Sequence, residues 1–267
     1  MRRKMPLVLT LALMLALPVC GRRPAEETAV ELTVFAAASM TETLTEISED
    51  YKSVAPNITL VFNFASSGDL KTQIQEGAHC DLFISSAQKQ MNQLDAAETA
   101  GQNREGRDFV LSDTRGDLLE NSVALVVPEG NPANVQSFED VGRVSLVALG
   151  NSDVPVGQYS EEIFTALGLW GQLNREHKIT FGTSVKEVTA QVSEAAVDCG
   201  IVYGTDVCSA GLEAVAYAPE GTHSPVIYPA AVLNITRHKA EARAFLEYLQ
   251  SDEAGAVFEA VGFSVVK

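Results

Sequence analysis

The sequence predicts an α/β protein built from two lobes, and three observations support this fold class. Short apolar segments alternate with segments whose apolar residues recur at helical spacing, which favours crossover connections and mainly parallel sheets flanked by helices. The alternation restarts after a fully apolar segment near residue 122. Two helical segments then close the chain after a lone strand, which indicates that the chain returns to its first unit.

The first unit reads as strand, helix, strand, helix, strand. ELTVF predicts a short buried strand, and Met40, Leu44, Ile47 and Tyr51 follow it at helical intervals. ITLVFNF predicts the second strand, and the helix after it ends at Gly77. DLFIS predicts the third strand, and a polar helix follows it.

The second unit begins after a charged stretch, EGRDFVLSDTRGDLLEN, that we interpret as a loop, and we assign no function to the charged residues 103–117. SVALVVP and VSLVAL predict apolar strands, and a helix ends at Gly168. A helix with a valine stripe then precedes the strand GIVYG. The run VIYPAAVL leads into the two final helices, AEARAFLEYLQ and EAGAVFEAVG.

This order predicts two strands that cross between the lobes, near Ser122 to Pro128 and Val226 to Leu233. A cleft is expected between the lobes, because open α/β sheets place their ligands beyond the carboxyl ends of their strands. The predicted organisation is a first lobe of residues 30–121 plus 230–267 and a second lobe of residues 122–229.

The N-terminus reads as an export signal. Residues 1–19, MRRKMPLVLTLALMLALPV, carry three basic residues and then an apolar run that is too short to span a bilayer comfortably. The run ends in LPVCG, which resembles a lipoprotein cleavage box with Cys20 as the lipidated first residue. Residues 20–29 would then be a lipid-anchored tether. Ordinary signal cleavage, which would give a free periplasmic protein, is the alternative.

Charge and cysteine content restrict the possible partners. Loss of residues 1–19 changes the formal net charge from -16 to -19, which argues against nucleic acid and anionic membranes as partners. Cys199 and Cys208 lie close in sequence, so they either form a disulfide or stay as two free, buried thiols. No spacing of cysteines and histidines indicates a metal site.

Several predicted helices begin at small or polar residues. A helix N-terminus offers unpaired N–H groups and a partial positive field, so it can hold an anion without lysine or arginine. Such residues can also be simple helix caps, and this interpretation stays open. The four helix starts, two in each lobe, are at Ser39 with Glu42 as a capping box, at Ser66 and Ser67, at Val156 and Gly157, and at Ser184 with Glu187.

The segments TVFAAASMTETLTEI, FASSGDLKTQIQEG, DLFISS, VPVGQYSEEIFTALGLW and GIVYGTD, in this order, resemble the periplasmic molybdate-binding proteins of ABC transporters. The resemblance runs from Glu31 to Phe263. It implies a periplasmic-binding-protein fold, type II-like, whose two lobes close on a tetrahedral dianion, molybdate or tungstate. It also implies delivery of this oxyanion to a permease with its ATPase.

The resemblance further implies the residues that hold the oxyanion: the hydroxyls of Ser39, Ser67 and Tyr203 and the main-chain N–H groups of Val156 and Val185. It implies no cofactor and no metal cation, because molybdenum enters only as an oxyanion. We expect a monomer that meets the membrane through its lipid anchor and binds no nucleic acid.

Two other functions compete with this interpretation. The ligand could be another oxyanion, such as sulfate or phosphate, or an organic acid. The chain could instead be a serine hydrolase that uses Ser66 or Ser67, but no G-x-S-x-G sequence surrounds either serine and the four histidines are scattered. We therefore predict a protein that is not an enzyme.

Overall fold

The computed structural model describes residues 28–266, so the predicted signal peptide, Cys20 and most of the tether lie outside the described residues. The strands are β1 (Val30–Ala37), β2 (Ile58–Ala65), β3 (Leu82–Ile84), β4 (Gly116–Asn121), β5 (Val123–Val127), β6 (Val147–Gly150), β7 (Ile179–Gly182), β8 (Cys199–Tyr203), β9 (Glu213–Tyr217), β10 (Val226–Val232) and β11 (Ser264–Val265). The α-helices are α1 (Thr41–Val54), α2 (Ser67–Gln75), α3 (Gln88–Asn92), α4 (Pro155–Ala166), α5 (Trp170–Arg175), α6 (Val185–Ser193), α7 (Gly204–Ala210), α8 (Lys239–Leu249) and α9 (Asp252–Ala260). Among these helices, none is both long and apolar enough to cross a membrane.

The strands form two sheets. The first sheet has six strands in the order β11-β4-β10-β3-β1-β2, and the second has five in the order β7-β6-β8-β5-β9. Helices flank both sheets, so the predicted α/β class is confirmed.

Both sheets are mixed, which corrects the prediction that they are mainly parallel. Strands β1, β2 and β3 are parallel to one another, as are β6, β7 and β8, whereas β4, β10 and β11 pair antiparallel in the first sheet and β5 and β9 do so in the second. The parallel strands are those that consecutive helical crossovers connect, since parallel neighbours require a long connection. The sequence missed β4, β9 and β11, and it read β4 as part of the charged loop.

The chain passes between the sheets twice. Strand β4 ends at Asn121 and β5 begins at Val123, so Ser122 alone separates a strand of the first sheet from a strand of the second. The return runs from the end of β9 at Tyr217 to the start of β10 at Val226. Because β10 lies wholly in the first sheet, the predicted lobe boundary after residue 229 falls inside this strand. The assignment of the remaining residues to lobes stays a prediction.

Alternate residues of β1 face two different hydrophobic clusters, as the twofold repeat of a strand requires. Val34 packs in one cluster with Leu44 of α1 and Phe245 of α8. Phe35 packs in the other cluster with Leu70 of α2. Strand β1 is therefore buried on both faces.

The cysteines of the described chain are free. Cys199 is buried at the start of β8 and Cys208 is exposed on α7, so of the two alternatives the disulfide is not formed. The expectation that both thiols are buried is wrong for Cys208, because it lies on the outer side of a short helix at the edge of the second sheet.

Candidate functional site

Three serines of the first sheet follow the carboxyl ends of neighbouring parallel strands. Strands β1 and β2 end side by side, with Ala37 opposite Ala65, and β3 runs parallel on the other side of β1. Ser39 follows β1, Ser67 follows β2, and Ser86 follows β3. All three are buried.

The second sheet repeats this arrangement with its three parallel strands. Strands β6 and β7 end with Gly150 opposite Gly182, and β8 runs parallel beside β6. Short loops lead from β6 and β7 into α4 and α6, and β8 leads directly into α7. The arrangement places Val156 in the first turn of α4, Val185 at the first position of α6, and Tyr203 immediately before α7.

A small cavity of about 10 Å³ lies where these two sets of strand ends meet. Its lining comes from both sheets and includes Ser39, Ser67, Val185 and Tyr203. Val156 is not part of the lining, but its neighbour Pro155 is. The structure thus brings four of the five predicted residues to one cavity and places the fifth next to it.

The hydroxyl of Ser39 has a defined environment. It lies 2.9 Å from the Tyr228 hydroxyl, which also accepts a bond of 3.2 Å from the side-chain amide of Asn121. Asn121 donates to Tyr228, and either hydroxyl can donate in the bond between Ser39 and Tyr228. When Tyr228 is the donor, the proton of Ser39 is free to point into the cavity. The predicted capping box of Ser39 and Glu42 is wrong, because Ser39 lies within a short 3-10 helix and makes no cap.

The hydroxyl of Ser67 also has a defined environment. Its Oγ accepts the main-chain N–H of Ser86 at 3.0 Å and lies 3.2 Å from the Ser86 hydroxyl. Because the N–H already fills an acceptor position, Ser67 is left with a proton to donate. Capping of α2 falls to Ser66, whose Oγ accepts the N–H of Asp69. At α6 the serine half of the predicted capping box is confirmed, since Ser184 accepts the N–H of Glu187, whereas the Glu187 carboxylate accepts the N–H of Thr183 instead of that of Ser184.

Tyr203 brings a third hydroxyl to the cavity. Its side chain is buried, and among the described residues its oxygen has no hydrogen-bond partner. Burial raises the pKa of Tyr203 well above its ordinary value, and the neighbouring Tyr228 and Tyr159 raise it further, although Ser86 acts in the opposite direction. The phenol therefore stays protonated near neutral pH and remains a donor.

Main-chain donors complete the site. The N–H groups of Val156 and Val185 belong to the first turns of α4 and α6, where no acceptor is available within the helix. No residue of the cavity lining carries a charge. The dipoles of the two helices supply a partial positive field in place of a cation.

Ion pairs begin at Lys186, directly after the lining residue Val185. Lys186 contacts Glu42, on the other side of the cleft, at 2.8 Å, and it lies 3.6 Å from the buried Asp206. Burial raises the pKa of Asp206 to about 6, while Lys186 and the N–H of Tyr203 act against this rise.

The two sheets also meet through their main chains. The N–H of Gly68, at the start of α2, donates to the carbonyl of Asp153 in the loop before α4 at 3.2 Å. A Cβ on Gly68 would lie 2.3 Å from that oxygen, so only glycine permits this approach. The glycine after the two serines therefore sets how closely the two sides come together.

Sequence reasoning did not single out Ser86, Tyr228 or Asn121. Ser86 ends the segment DLFISS, and its position after a predicted strand was the signal that could have identified it. Tyr228 lies in an apolar run that reads as core, and Asn121 in a charged stretch. Nothing local distinguishes these two residues, since Asn121 reaches Tyr228 only through pairing of β4 with β10.

A family model described as "Bacterial extracellular solute-binding protein" matches residues 32–264. The chain therefore belongs to the family of bacterial extracellular solute-binding proteins. Its relatives include the molybdate-binding protein ModA of Haemophilus influenzae, which is 34% identical over 256 residues that cover 93% of this chain and 96% of that protein. A Bacillus subtilis protein whose name contains the words "ABC transporter substrate-binding lipoprotein YvgL" is 38% identical over 240 residues, which cover 89% of this chain and 88% of that protein.

Solved structures share the fold. The periplasmic molybdate-binding protein of Azotobacter vinelandii superposes with a TM-score of 0.75 over 88% of this chain and 100% of that one, at 22% identity. The predicted resemblance and the two-lobed periplasmic-binding-protein fold are thereby confirmed.

Proposed function

We propose that this protein captures molybdate, and also tungstate, between its two lobes and delivers it to an ABC importer. One observation carries the proposal: uncharged hydrogen-bond donors from the strand ends of both sheets converge on a single cavity without a charged residue. The name of the Haemophilus relative, a molybdate-binding protein, supports the identity of the ligand.

A cavity that offers only hydrogen-bond donors suits a fully ionised oxyanion. Ser67 accepts the N–H of Ser86, and we propose that Ser39 accepts the proton of Tyr228, so that both serines donate to the ligand. Hydrogen bonds to a charged group contribute about 1.5–3 kcal/mol each. Five such donors sum to about 7.5–15 kcal/mol, and a micromolar dissociation constant corresponds to roughly 8 kcal/mol, so donors of average strength supply micromolar affinity with a surplus for closing the lobes. Hydrogen phosphate would present a proton of its own to these donors, and this disfavours it.

The lobes must move for the ligand to enter. A cavity of about 10 Å³ is close to the space that one water needs, so a tetrahedral oxyanion requires the two sides to separate and close again. Ligand contacts from both sides then favour the closed form by their differential affinity. With the boundary placed at the start of β10, we propose that residues 30–121 and 226–267 move against residues 122–225, and that the importer recognises the closed form.

We also propose the predicted cellular placement. Residues 1–19 direct export, and Cys20 carries the lipid that holds residues 20–29 to the membrane, as the word lipoprotein in the name of the Bacillus relative supports. The protein acts as a monomer, because one chain supplies both sides of the site.

Catalysis has no support in this cavity. A serine hydrolase needs a base within hydrogen-bond reach of its serine. Among the described residues that line the cavity, none is a histidine or a carboxylate. Another dianion, sulfate in particular, stays an alternative ligand, because these hydrogen-bond donors do not distinguish fully ionised oxyanions from one another.

Calorimetric titration with molybdate, tungstate, sulfate and phosphate tests the proposal. We expect molybdate and tungstate to bind at micromolar concentration or below, and Ser39→Ala and Ser67→Ala each to weaken binding at least tenfold. Tyr203→Phe should weaken it more mildly. Absence of heat with every oxyanion, or tighter binding of sulfate than of molybdate, would refute the assignment.

Two matched variants control for general loss of packing. Ser85→Ala removes a buried hydroxyl that bonds to Ala87 within its own loop and does not line the cavity. Tyr159→Phe removes a phenol whose contact with the Pro225 carbonyl is long, at 3.5 Å. Both variants should bind molybdate within about twofold of the parent, since less than about 0.5 kcal/mol is at stake.

A further inference from the structure

A pocket on the first lobe, distinct from the cleft, carries a local excess of positive charge. It has a volume of about 360 Å³, and four basic residues line it: Lys71 of α2, Lys89 of α3, and Arg104 and Arg107 of the charged stretch before β4. We refer to it as the basic pocket. The whole chain has 35 acidic and 19 basic residues, whereas this lining contains one acidic residue, Glu105. Basic residues therefore outnumber acidic residues in this pocket, whereas the opposite holds for the chain as a whole.

Most of this positive charge is not neutralised. Glu105 pairs with Arg107, with 2.6 Å between Oε2 and Nε. The side chains of Lys71, Lys89 and Arg104 form no ion pair or hydrogen bond with any described residue. Like charges around one concavity repel each other, and this arrangement is stabilised most directly by a bound anion.

The loop that carries the two arginines is held in one conformation. The side chain of Asn103 accepts the N–H of Arg107 at 2.9 Å and donates to the carbonyls of Arg107 and Asp95. The main-chain N–H of Asn103 donates to Glu98 at 2.9 Å. The arginines are thus presented by a fixed turn, which lowers the entropy lost when they engage a ligand.

The lining also limits the chemistry of the ligand. Apart from the charged residues it consists of amide side chains and a glycine, and no aromatic ring is present for stacking. A volume of about 300–1,000 Å³ is typical of small-molecule sites. We infer that the basic pocket binds a small phosphate-bearing polyanion without an aromatic group. Such a phosphate-bearing group belongs either to a soluble anion or to a lipid headgroup, and the experiment below separates these two sources.

The test uses tripolyphosphate as the probe, titrated calorimetrically in the presence of excess molybdate so that the cleft is occupied. The double variant Lys71→Gln/Arg104→Gln removes two unpaired cations from the pocket. Arg237→Gln/Lys239→Gln is the matched control, since both residues are exposed, lie outside the pocket and carry the same two charges. We expect the pocket variant to weaken binding at least tenfold and the control to stay within twofold. Thermal melting curves of both variants establish that they fold.

A second arm separates the two sources of phosphate. Co-sedimentation with vesicles of phosphatidylglycerol and phosphatidylcholine compares the parent with the pocket variant, and since both carry the same N-terminus, any difference reports the pocket. Pocket-dependent binding of tripolyphosphate alone supports the soluble anion, and pocket-dependent binding of vesicles alone identifies a lipid headgroup. If neither probe depends on the pocket, or if the control variant loses as much affinity, the inference is overturned and an acidic protein segment becomes the alternative partner. Neither arm requires that molybdate bind in the cleft.

Discussion

Replacing Gly68 by alanine should hold the cleft open. The added Cβ would lie 2.3 Å from the Asp153 carbonyl oxygen and 2.8 Å from the Asp153 Cβ, whereas ordinary contacts begin near 3.4 Å. The nearest atom is main chain and cannot swing aside as a flexible side chain would. The two sides must therefore separate by about 1 Å at this point.

A separation of this size removes hydrogen bonds from one side of the ligand. A bond near 2.9 Å that lengthens by about 1 Å leaves the hydrogen-bonding range. Loss of a single bond to a charged group, about 1.5–3 kcal/mol, lowers affinity about 10- to 150-fold. The bond between Gly68 and Asp153 is lost as well, at a cost of about 0.5–1.5 kcal/mol to the closed form.

Calorimetric titration with molybdate measures the effect, and thermal unfolding separates it from damage to the fold. Gly255→Ala is the matched control, because this residue is also a helical glycine and its added Cβ would meet Val265 at an ordinary 3.6 Å. Alanine in a helix is intrinsically favoured over glycine by about 0.5–1 kcal/mol, so neither variant should lose much stability. If Gly68→Ala binds molybdate as tightly as the parent and Gly255→Ala, closure does not depend on this contact and the reasoning fails.

Three further predictions concern charge and reactivity. Glu42→Gln removes the ion pair with Lys186 across the cleft and should speed molybdate release about two- to fivefold in stopped-flow measurements, since a partly exposed pair contributes about 0.2–1 kcal/mol; an unchanged rate would show that the pair does not hold the closed form. The pKa of the buried Asp206 is raised from 3.8 to about 6, so between these pH values the folded protein keeps a proton that the unfolded chain releases. The contribution of Asp206 to the free energy of unfolding should therefore fall by up to about 3 kcal/mol as the pH rises from 3.8 to about 6, and then level off. Chemical denaturation of the parent and of Asp206→Asn at pH 4 and pH 7 should show this difference, and parallel pH profiles would contradict it. In the native protein Cys208 should react with a thiol reagent while Cys199 stays protected until unfolding, because burial raises the pKa of the Cys199 thiol to about 12; equal reaction rates would contradict the burial of Cys199.

The sequence predicted what local patterns determine. Apolar strands followed by helices identified the parallel cores of both sheets, and the serines at strand ends identified the cavity. Strand β4 was missed because its sequence, GDLLEN, is as polar as a loop, and only pairing with β10 makes it a strand. The capping box at Ser39 was wrong for a related reason. The hydroxyl of Tyr228, distant in sequence, captures the side chain that local spacing assigned to the helix.

Whether the hydroxyls of the site donate or accept hydrogen bonds depends on contacts between residues that are distant in sequence, so it could not be predicted from the sequence. Whether a serine donates or accepts is decided by what lies behind it. For Ser39 this is Tyr228 with Asn121, and for Ser67 it is the N–H of Ser86. Tyr203 was predicted from a motif, but its unpartnered hydroxyl depends on packing against Tyr159 and Tyr228.

The position of Ser122 between β4 and β5 has a consequence for how this protein can be divided. Asn121 and Val226 are direct partners in the first sheet, so the segment 122–225 leaves and re-enters that sheet at adjacent points. A segment with neighbouring ends is an insertion that a short linker can replace. Residues 122–225 could therefore be exchanged as one cassette between relatives, and oxyanion selectivity could be assigned to one half of the molecule or the other.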